Sequence, residues 1–270
     1  MAANPLRLLA VLAHPDDESL GLGGTLAKYA AEGVETYLIT ATRGQRGWTG
    51  DPQEYPGPEA LGRIREGELR AATAVLGLRE THLLDYMDGD LDQARPAEIV
   101  ALLAGHIRRI RPQVVMTFDP YGGYGHPDHI AICQFTSAAL VAAASADDAS
   151  AAEQAPHTVA KLYYMAVSAR MTDTYQDIFG ELLMYVDGVA RPPVPWPEWA
   201  ITTRIDTSGY WRQVVAAVSC HTSQVPEYGA LVSQPEERYL TIWGEQTYYR
   251  AYSQVTSGRA IERDLFDGLR

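Results

Sequence analysis

Leu6-Arg7-Leu8-Leu9-Ala10-Val11-Leu12 runs directly into Ala13-His14-Pro15-Asp16-Asp17-Glu18, and this junction decides the fold. The first run is short, apolar apart from Arg7, and ends in turn residues, which reads as a buried parallel strand. A histidine, two aspartates and a glutamate at its carboxyl end stand where open α/β sheets bind ligands. Pro15 fixes its own φ and pushes His14 toward an extended conformation, so the backbone there is stiff, as metal ligands require. The competing reading is a polar turn that opens a helix, with an aspartate as its cap.

Downstream of this junction the chain alternates strand and helix signals. Gly21, Gly23 and Gly24 precede an expected helix over 25–31 that stops at Gly33. The glycines do not fit GxGxxG, so they are read as close packing of helix on strand rather than as a dinucleotide site. Residues 34–42 form a second strand, and the unit is expected to be right-handed. The loop from Arg43 to Pro58 is long enough to be functional. A helix over 60–76 stops at Gly77, a short strand covers 82–84, and Tyr86 to Asp90 is a turn. A helix over 96–110 carries His106 on its apolar stripe, as a packed residue.

Val114-Val115-Met116-Thr117-Phe118 is a further buried strand, ending in Asp119-Pro120-Tyr121-Gly122-Gly123-Tyr124-Gly125-His126-Pro127-Asp128-His129. Pro127 suits a first helical position, and the helix continues to 144. Residues 142–154 read as an exposed helix end or a connection, and 161–167 as strand. The proline-rich stretch from Arg191 to Pro197 is a stiff extended connection and a boundary candidate. A strand over 201–205, a helix over 210–220 and an aromatic tail that packs on the core follow. The alternation implies an α/β fold with a mostly parallel sheet and helices on both faces. Residues 1–190 would be the catalytic core and 191–270 a smaller C-terminal portion packing on it and bordering the substrate cleft.

Composition narrows the function. The 270 residues suit one large domain. Lys and Arg number 22 and Asp and Glu 34, a net charge of −12 that argues against nucleic acid as partner. Two cysteines, Cys133 and Cys220, make neither a disulfide framework nor a CxxC zinc site. With no signal-peptide pattern and no apolar run of spanning length, a cytoplasmic protein without membrane attachment is expected.

The two polar clusters, His14, Asp16 and Asp17 in one and Tyr124, His126, Asp128 and His129 in the other, follow two separate buried strands. Carboxyl ends of parallel strands share one edge, so the clusters can meet. Two histidines and one carboxylate with an open position suit a catalytic zinc, and a further carboxylate beside it could act as general base. A spare histidine and a tyrosine hydroxyl could stabilise an oxyanion. Spacing alone does not decide which histidine and which aspartate bind metal.

Ala13-His14-Pro15-Asp16-Asp17-Glu18 paired with Gly125-His126-Pro127-Asp128-His129 resembles the LmbE-like N-acetylglucosaminyl deacetylases of the PIG-L superfamily, over most of the first half of the chain. The resemblance implies a Rossmann-like fold and one zinc ion per chain. It also implies hydrolytic removal of an N-acyl group, N-acetyl above all, from a small-molecule amino sugar or glycoconjugate. By that resemblance His14, Asp17 and His129 match the zinc ligands and Asp16 the general base. His126 matches the residue that stabilises the intermediate or protonates the amine, Asp128 its orienting partner, and Tyr124 an oxyanion-stabilising tyrosine. Arg65 and Asp88 look like substrate-contacting positions. His221-x-Ser223-Gln224 is similar to a stretch in some relatives but receives no role. A thiol-conjugate amidase, a natural-product deacetylase and a non-catalytic metal-binding protein are the alternatives. Association into homo-oligomers is left open.

Overall fold

Every residue of β1 (Arg7–Leu12) except the first is fully buried. The computed structural model describes residues 5–146, 154–186 and 188–270. After β1 come α1 (Asp17–Ala31), β2 (Glu35–Thr42), α2 (Pro58–Leu76), β3 (Glu80–Tyr86), α3 (Pro96–Ile110) and β4 (Val114–Thr117). The turn α4 (Gly122–Gly125) then leads into α5 (Pro127–Ala144), β5 (Lys161–Met165) and α6 (Ala169–Phe179). The hairpin β6 (Met184–Val186) and β7 (Val189–Arg191) precedes β8 (Thr203–Asp206), α7 (Trp211–Val218), α8 (Val225–Val232), α9 (Glu236–Trp243) and β9 (Glu245–Ser253).

Seven strands form one sheet in the order β3-β2-β1-β4-β5-β9-β8. The first five are parallel, while β9 and β8 add to the β5 edge antiparallel. The strand order reverses between β1 and β4, so a crevice opens at the carboxyl ends of those two neighbours. α3 and α5 pack together on one face of the sheet, and α1, α2 and α7 on the other. That division follows from right-handed crossovers that run first one way and then the other from β1. Among the described residues no helix is long and apolar enough to cross a membrane.

Three features depart from the reading of the sequence. First, α1 begins at Asp17, so Gly21, Gly23 and Gly24 lie inside the helix rather than before it. Glycine lowers helix propensity, but here contact outweighs it: a Cβ on Gly24 would stand 2.7 Å from Thr207 Cβ. Second, β9 and the helices α6, α8 and α9 were not anticipated in the aromatic tail and the stretch before it. Tyr248 is buried and donates into, or accepts from, Thr25 Oγ1 at 2.6 Å, so one of these aromatics belongs to a strand that completes the sheet. Third, residues 191–270, read as a portion packing on the core with one strand over 201–205, supply two strands of the sheet, β8 and β9. The connection over 142–154 lies largely outside the described residues.

The end of the chain is fixed by a buried charge cluster. Glu262 accepts from fully buried Lys161 Nζ at 3.0 Å, from Tyr163 at 2.7 Å and from Thr203 at 3.0 Å, with Arg250 at 2.8 Å. Burial opposes its charge, but these donors hold its carboxyl well below the usual range. A charge pair this deep is tolerable only because its lone pairs are satisfied.

Candidate active site

The two polar clusters meet because β1 and β4 are hydrogen-bonded neighbours whose carboxyl ends share the crevice. Thr42, at the end of β2, donates its hydroxyl to Ala13 O, which fixes the turn that leaves β1. Gly122 adopts φ +70°, and a Cβ there would stand 2.8 Å from His129 Cβ, so this position needs glycine for both conformation and space. Pro127 starts α5 with His126 as its cap. His126 therefore belongs to the loop and His129 to the first helical turn.

Hydrogen bonding fixes each imidazole. His129 Nδ1 lies 3.1 Å from Gly122 O, and a carbonyl can only accept, so the proton sits on Nδ1 and the Nε2 lone pair is free. His14 Nε2 lies 3.1 Å from both Asp88 Oδ1 and Asp128 Oδ2, which likewise places a proton on Nε2. His14 Nδ1 and His129 Nε2 then face one another at 3.1 Å. Asp17 completes the group: its carboxylate oxygens stand 3.8 Å from His14 Nδ1 and 3.5 Å from His129 Nε2. The backbone N–H groups of Ala13 and His14 hold that carboxylate at 3.1 and 2.7 Å.

The charge balance of this cluster favours a cation. Burial opposes charge on His14, yet Asp128, Asp88 and Asp17 outweigh it and push the imidazole up to about 10. Burial pushes the Asp17 carboxyl up, against the pull of His14. Burial, with His14 and His126 beside it, holds His129 far below its ordinary value, so its ring is neutral at pH 7. The donor atoms of His14, His126 and His129 also lie within 4.8 Å of one another, as do those of His14, Asp88 and Asp128. In those alternatives His126 Nδ1 is already occupied by the Asp128 N–H at 3.1 Å. The Asp128 carboxylate is likewise engaged, by the N–H groups of Gly89 and Leu91 at 2.7 and 3.1 Å.

Asp16 sits beside this group with a backbone φ of +114°, a strained value for a residue with a side chain. It does not cap α1 through its side chain. Instead, its Oδ2 accepts from Arg65 Nη2 at 2.8 Å and from Tyr228 OH at 3.0 Å, and its N–H donates to Glu18 at 3.0 Å. Arg65 also donates to the carbonyls of Pro15 and Gly44 and is 4% exposed, so it is placed behind Asp16 rather than on an open substrate surface. Asp88 is similarly turned inward, onto His14 and the Arg46 N–H. Asp128 reaches His126 only through its backbone; its carboxylate is on His14.

His126 packs its ring 4.8 Å from those of both His14 and His129, and burial followed by the nearby His14 holds it well below its ordinary value. Because Nδ1 accepts from Asp128, the neutral ring carries its proton on Nε2 and can donate from there. Tyr124 lies with its ring 5.2 Å from that of His129 and lines the adjoining cavity together with Asp16, Asp17 and His129.

His221, given no role from the sequence, is fully buried with its Nε2 2.9 Å from Glu18 Oε1. Ser223 donates to Glu68 through both N–H and hydroxyl, and Gln224 donates to Gly47 O. The stretch clasps the back of the His14–Glu18 turn. Glu68 and Tyr228 are the residues that reasoning from sequence missed, while Glu18 and His221 stood in stretches singled out from the sequence but without a role.

The PIG-L model, described as GlcNAc-PI de-N-acetylase, matches residues 9–140. The chain is 36% identical to a 1D-myo-inositol 2-acetamido-2-deoxy-alpha-D-glucopyranoside deacetylase of Rhodococcus jostii, covering 97% of this chain and 98% of the relative. A protein of the same description from Kineococcus radiotolerans is 34% identical, over 98% of this chain and 83% of the relative. Among solved structures, the conserved protein TT1542 from Thermus thermophilus superposes with a TM-score of 0.63 at 27% identity, covering 93% of this chain and 97% of the other.

Proposed function

The chain belongs to the PIG-L family of deacetylases, and from that premise we propose that it removes the N-acetyl group from a 2-acetamido-2-deoxyglucose conjugate with zinc as its metal. The observation that carries this reading is the convergence of His14 Nδ1, His129 Nε2 and the Asp17 carboxylate: the nitrogens lie 3.1 Å apart, one Asp17 oxygen stands 3.8 Å from the first and the other 3.5 Å from the second, and His14 Nε2 and His129 Nδ1 are bonded on the far side. Tetrahedral zinc with ligands at 2.0–2.2 Å needs ligand–ligand edges of about 3.3 Å, which these separations bracket. A positive charge between His14 Nδ1 and His129 Nε2, carried by a metal ion or by a proton on His14 Nδ1, suits these two nitrogens and the carboxylate beside them. His14, Asp17 and His129 would hold the ion. When bound, zinc supplies Lewis-acid polarisation of the amide carbonyl and lowers the pKa of water toward about 7.

The remaining groups divide the proton transfers. Asp16 takes a proton from the attacking water, its Oδ2 fixed by Arg65 and Tyr228 so that Oδ1 is left for the reaction. The water oxygen bonds to the carbonyl carbon. His126 donates from Nε2 to the oxygen that gains negative charge, and the Tyr124 ring lies 6.2 Å from that of His126. The C–N bond then breaks as the amine nitrogen takes the proton held by Asp16, and the acetic acid so formed gives up its own proton, leaving acetate and a free amino sugar. Asp128 and Asp88 act one shell further out, by fixing the His14 ring.

His126→Ala tests this division. It is expected to retain the metal and lose roughly 10²–10³-fold in kcat, the effect of removing one oxyanion-stabilising donor. KM should move much less, because that hydrogen bond strengthens only as charge develops. Loss of metal from His126→Ala would instead make His126 a ligand and require a different partner set.

A further inference from the structure

We propose that the cavity beside the metal centre receives an apolar group, so that the substrate is an amphiphilic amino-sugar amide rather than a uniformly polar one. This rests on the deacetylase reading above and goes on to the part of the substrate that reading leaves open.

The cavity measures about 930 Å³. That is near the upper end of the range for small-molecule sites and leaves room well beyond one acetamido sugar. Its reacting end is formed by Asp16, Asp17, His129 and Tyr124. Its walls are different in kind. Met171, Tyr175 and Phe179 recur every fourth residue along α6, so one face of that helix lines the cavity with apolar surface. Leu20 of α1, Leu231 of α8 and Trp243 of α9 close the other sides. These six side chains belong to, or pack against, a second apolar cluster separate from the main core.

Two further observations separate this cavity from a site for a polyol. Several polar groups in its wall are already paired within the protein: Gln246 bonds the Thr25 N–H and Gly21 O, Thr172 donates to Ser168 O, and half-buried Thr247 donates to Ala166 O; the Trp243 Nε1–H is buried with no hydrogen-bond acceptor among the described residues. A second ring of hydroxyls would lose its hydration with few partners to replace it. Of the charged lining residues away from the reacting end, Asp119 is buried and accepts from Trp196 Nε1 and the Gly123 N–H, while Arg170, Glu181 and Glu245 are exposed, which places them at the rim. At the same time Leu240 is 43% and Val194 52% exposed along the lining, apolar surface that an apolar ligand would cover.

The apolar group could sit on the glycosidic oxygen or form the acyl chain itself, and two substrate series distinguish these. One is N-acetylglucosamine as its methyl, butyl, hexyl and octyl glycosides. The other is glucosamine N-acylated with acetyl, butanoyl, hexanoyl and octanoyl groups. In both, water adds to the carbonyl carbon, the C–N bond breaks, and the products are a carboxylate and a protonated amine. Using the zinc-loaded protein below the micellar concentration of each compound, kcat/KM is expected to rise roughly two- to fourfold per methylene in one series, the effect of burying a CH₂. The series that rises identifies the source. Phe179→Asp, which puts a carboxylate on the α6 face, should flatten the rise. Flat or falling kcat/KM in both series, with the methyl glycoside still hydrolysed, overturns the proposal and leaves the deacetylase reading intact. If no compound is hydrolysed, the deacetylase reading fails. Calorimetric binding then still decides the cavity: octyl glycoside at least about 10²-fold tighter than methyl supports it, and equal affinity overturns it.

Discussion

His129→Ala is expected to lose the metal and the activity together. His129 is 1% exposed, and its Nε2 is directed at His14 Nδ1 and Asp17 by the bond from Nδ1 to Gly122 O. Removing the ring takes away one of the three proposed protein ligands in a buried site. The His126 ring is near, but its Nδ1 is held by the start of α5. Since the metal supplies several kcal/mol of stabilisation to the reacting carbonyl, turnover should fall by roughly 10³-fold or more. Metal content measured on the purified variant, alongside acetate release, checks both halves. Full occupancy with lost turnover would move the metal to another partner set.

Asp16→Asn should separate binding from chemistry. The amide keeps the shape of the carboxylate and an oxygen for Tyr228 or Arg65, and Asp16 is not within the converging trio. Metal should be retained while turnover drops roughly 10²–10⁴-fold, the range for loss of a general base. The variant also tests the strained backbone at this position. Asparagine tolerates left-handed conformations well, so folding should be preserved and the loss should be one of kcat. Turnover close to that of the unaltered protein would show that the proton goes elsewhere.

The two motifs were legible because their chemistry is local. His14, Asp16 and Asp17 lie within four residues of each other, and so do His126, Asp128 and His129; β1 ends two residues before the first motif and β4 nine before the second, and each fixes the edge its motif occupies. That the two strands are neighbours follows from parallel α/β topology, and the sheet order bears out the α/β reading. What supports the motifs was not legible. Arg65 reaches Asp16 across 49 positions, Tyr228 across 212, and His221 reaches Glu18 across 203. An arginine on a helix and a histidine before a short turn have no periodic signature that announces such partners. The contacts of Arg65, Asp88 and Asp128 were hidden in the same way: a resemblance carries residue identity, whereas the atom each one touches depends on packing. The glycines of α1 were read against helix propensity, and the close approach of Met165 to Gly21, Val214 to Gly23 and Thr207 to Gly24 explains why a helix keeps them.

The most direct test of a metal-dependent deacetylase built on His14, Asp17 and His129 is acetate release from methyl N-acetylglucosaminide by the unaltered protein. It should be followed through removal of metal with a chelator and readdition of one equivalent of zinc per chain. The account requires hydrolysis that disappears with the metal and returns in proportion to zinc bound, reaching its maximum near one ion per chain. Hydrolysis at an unchanged rate in the fully metal-free protein would contradict it.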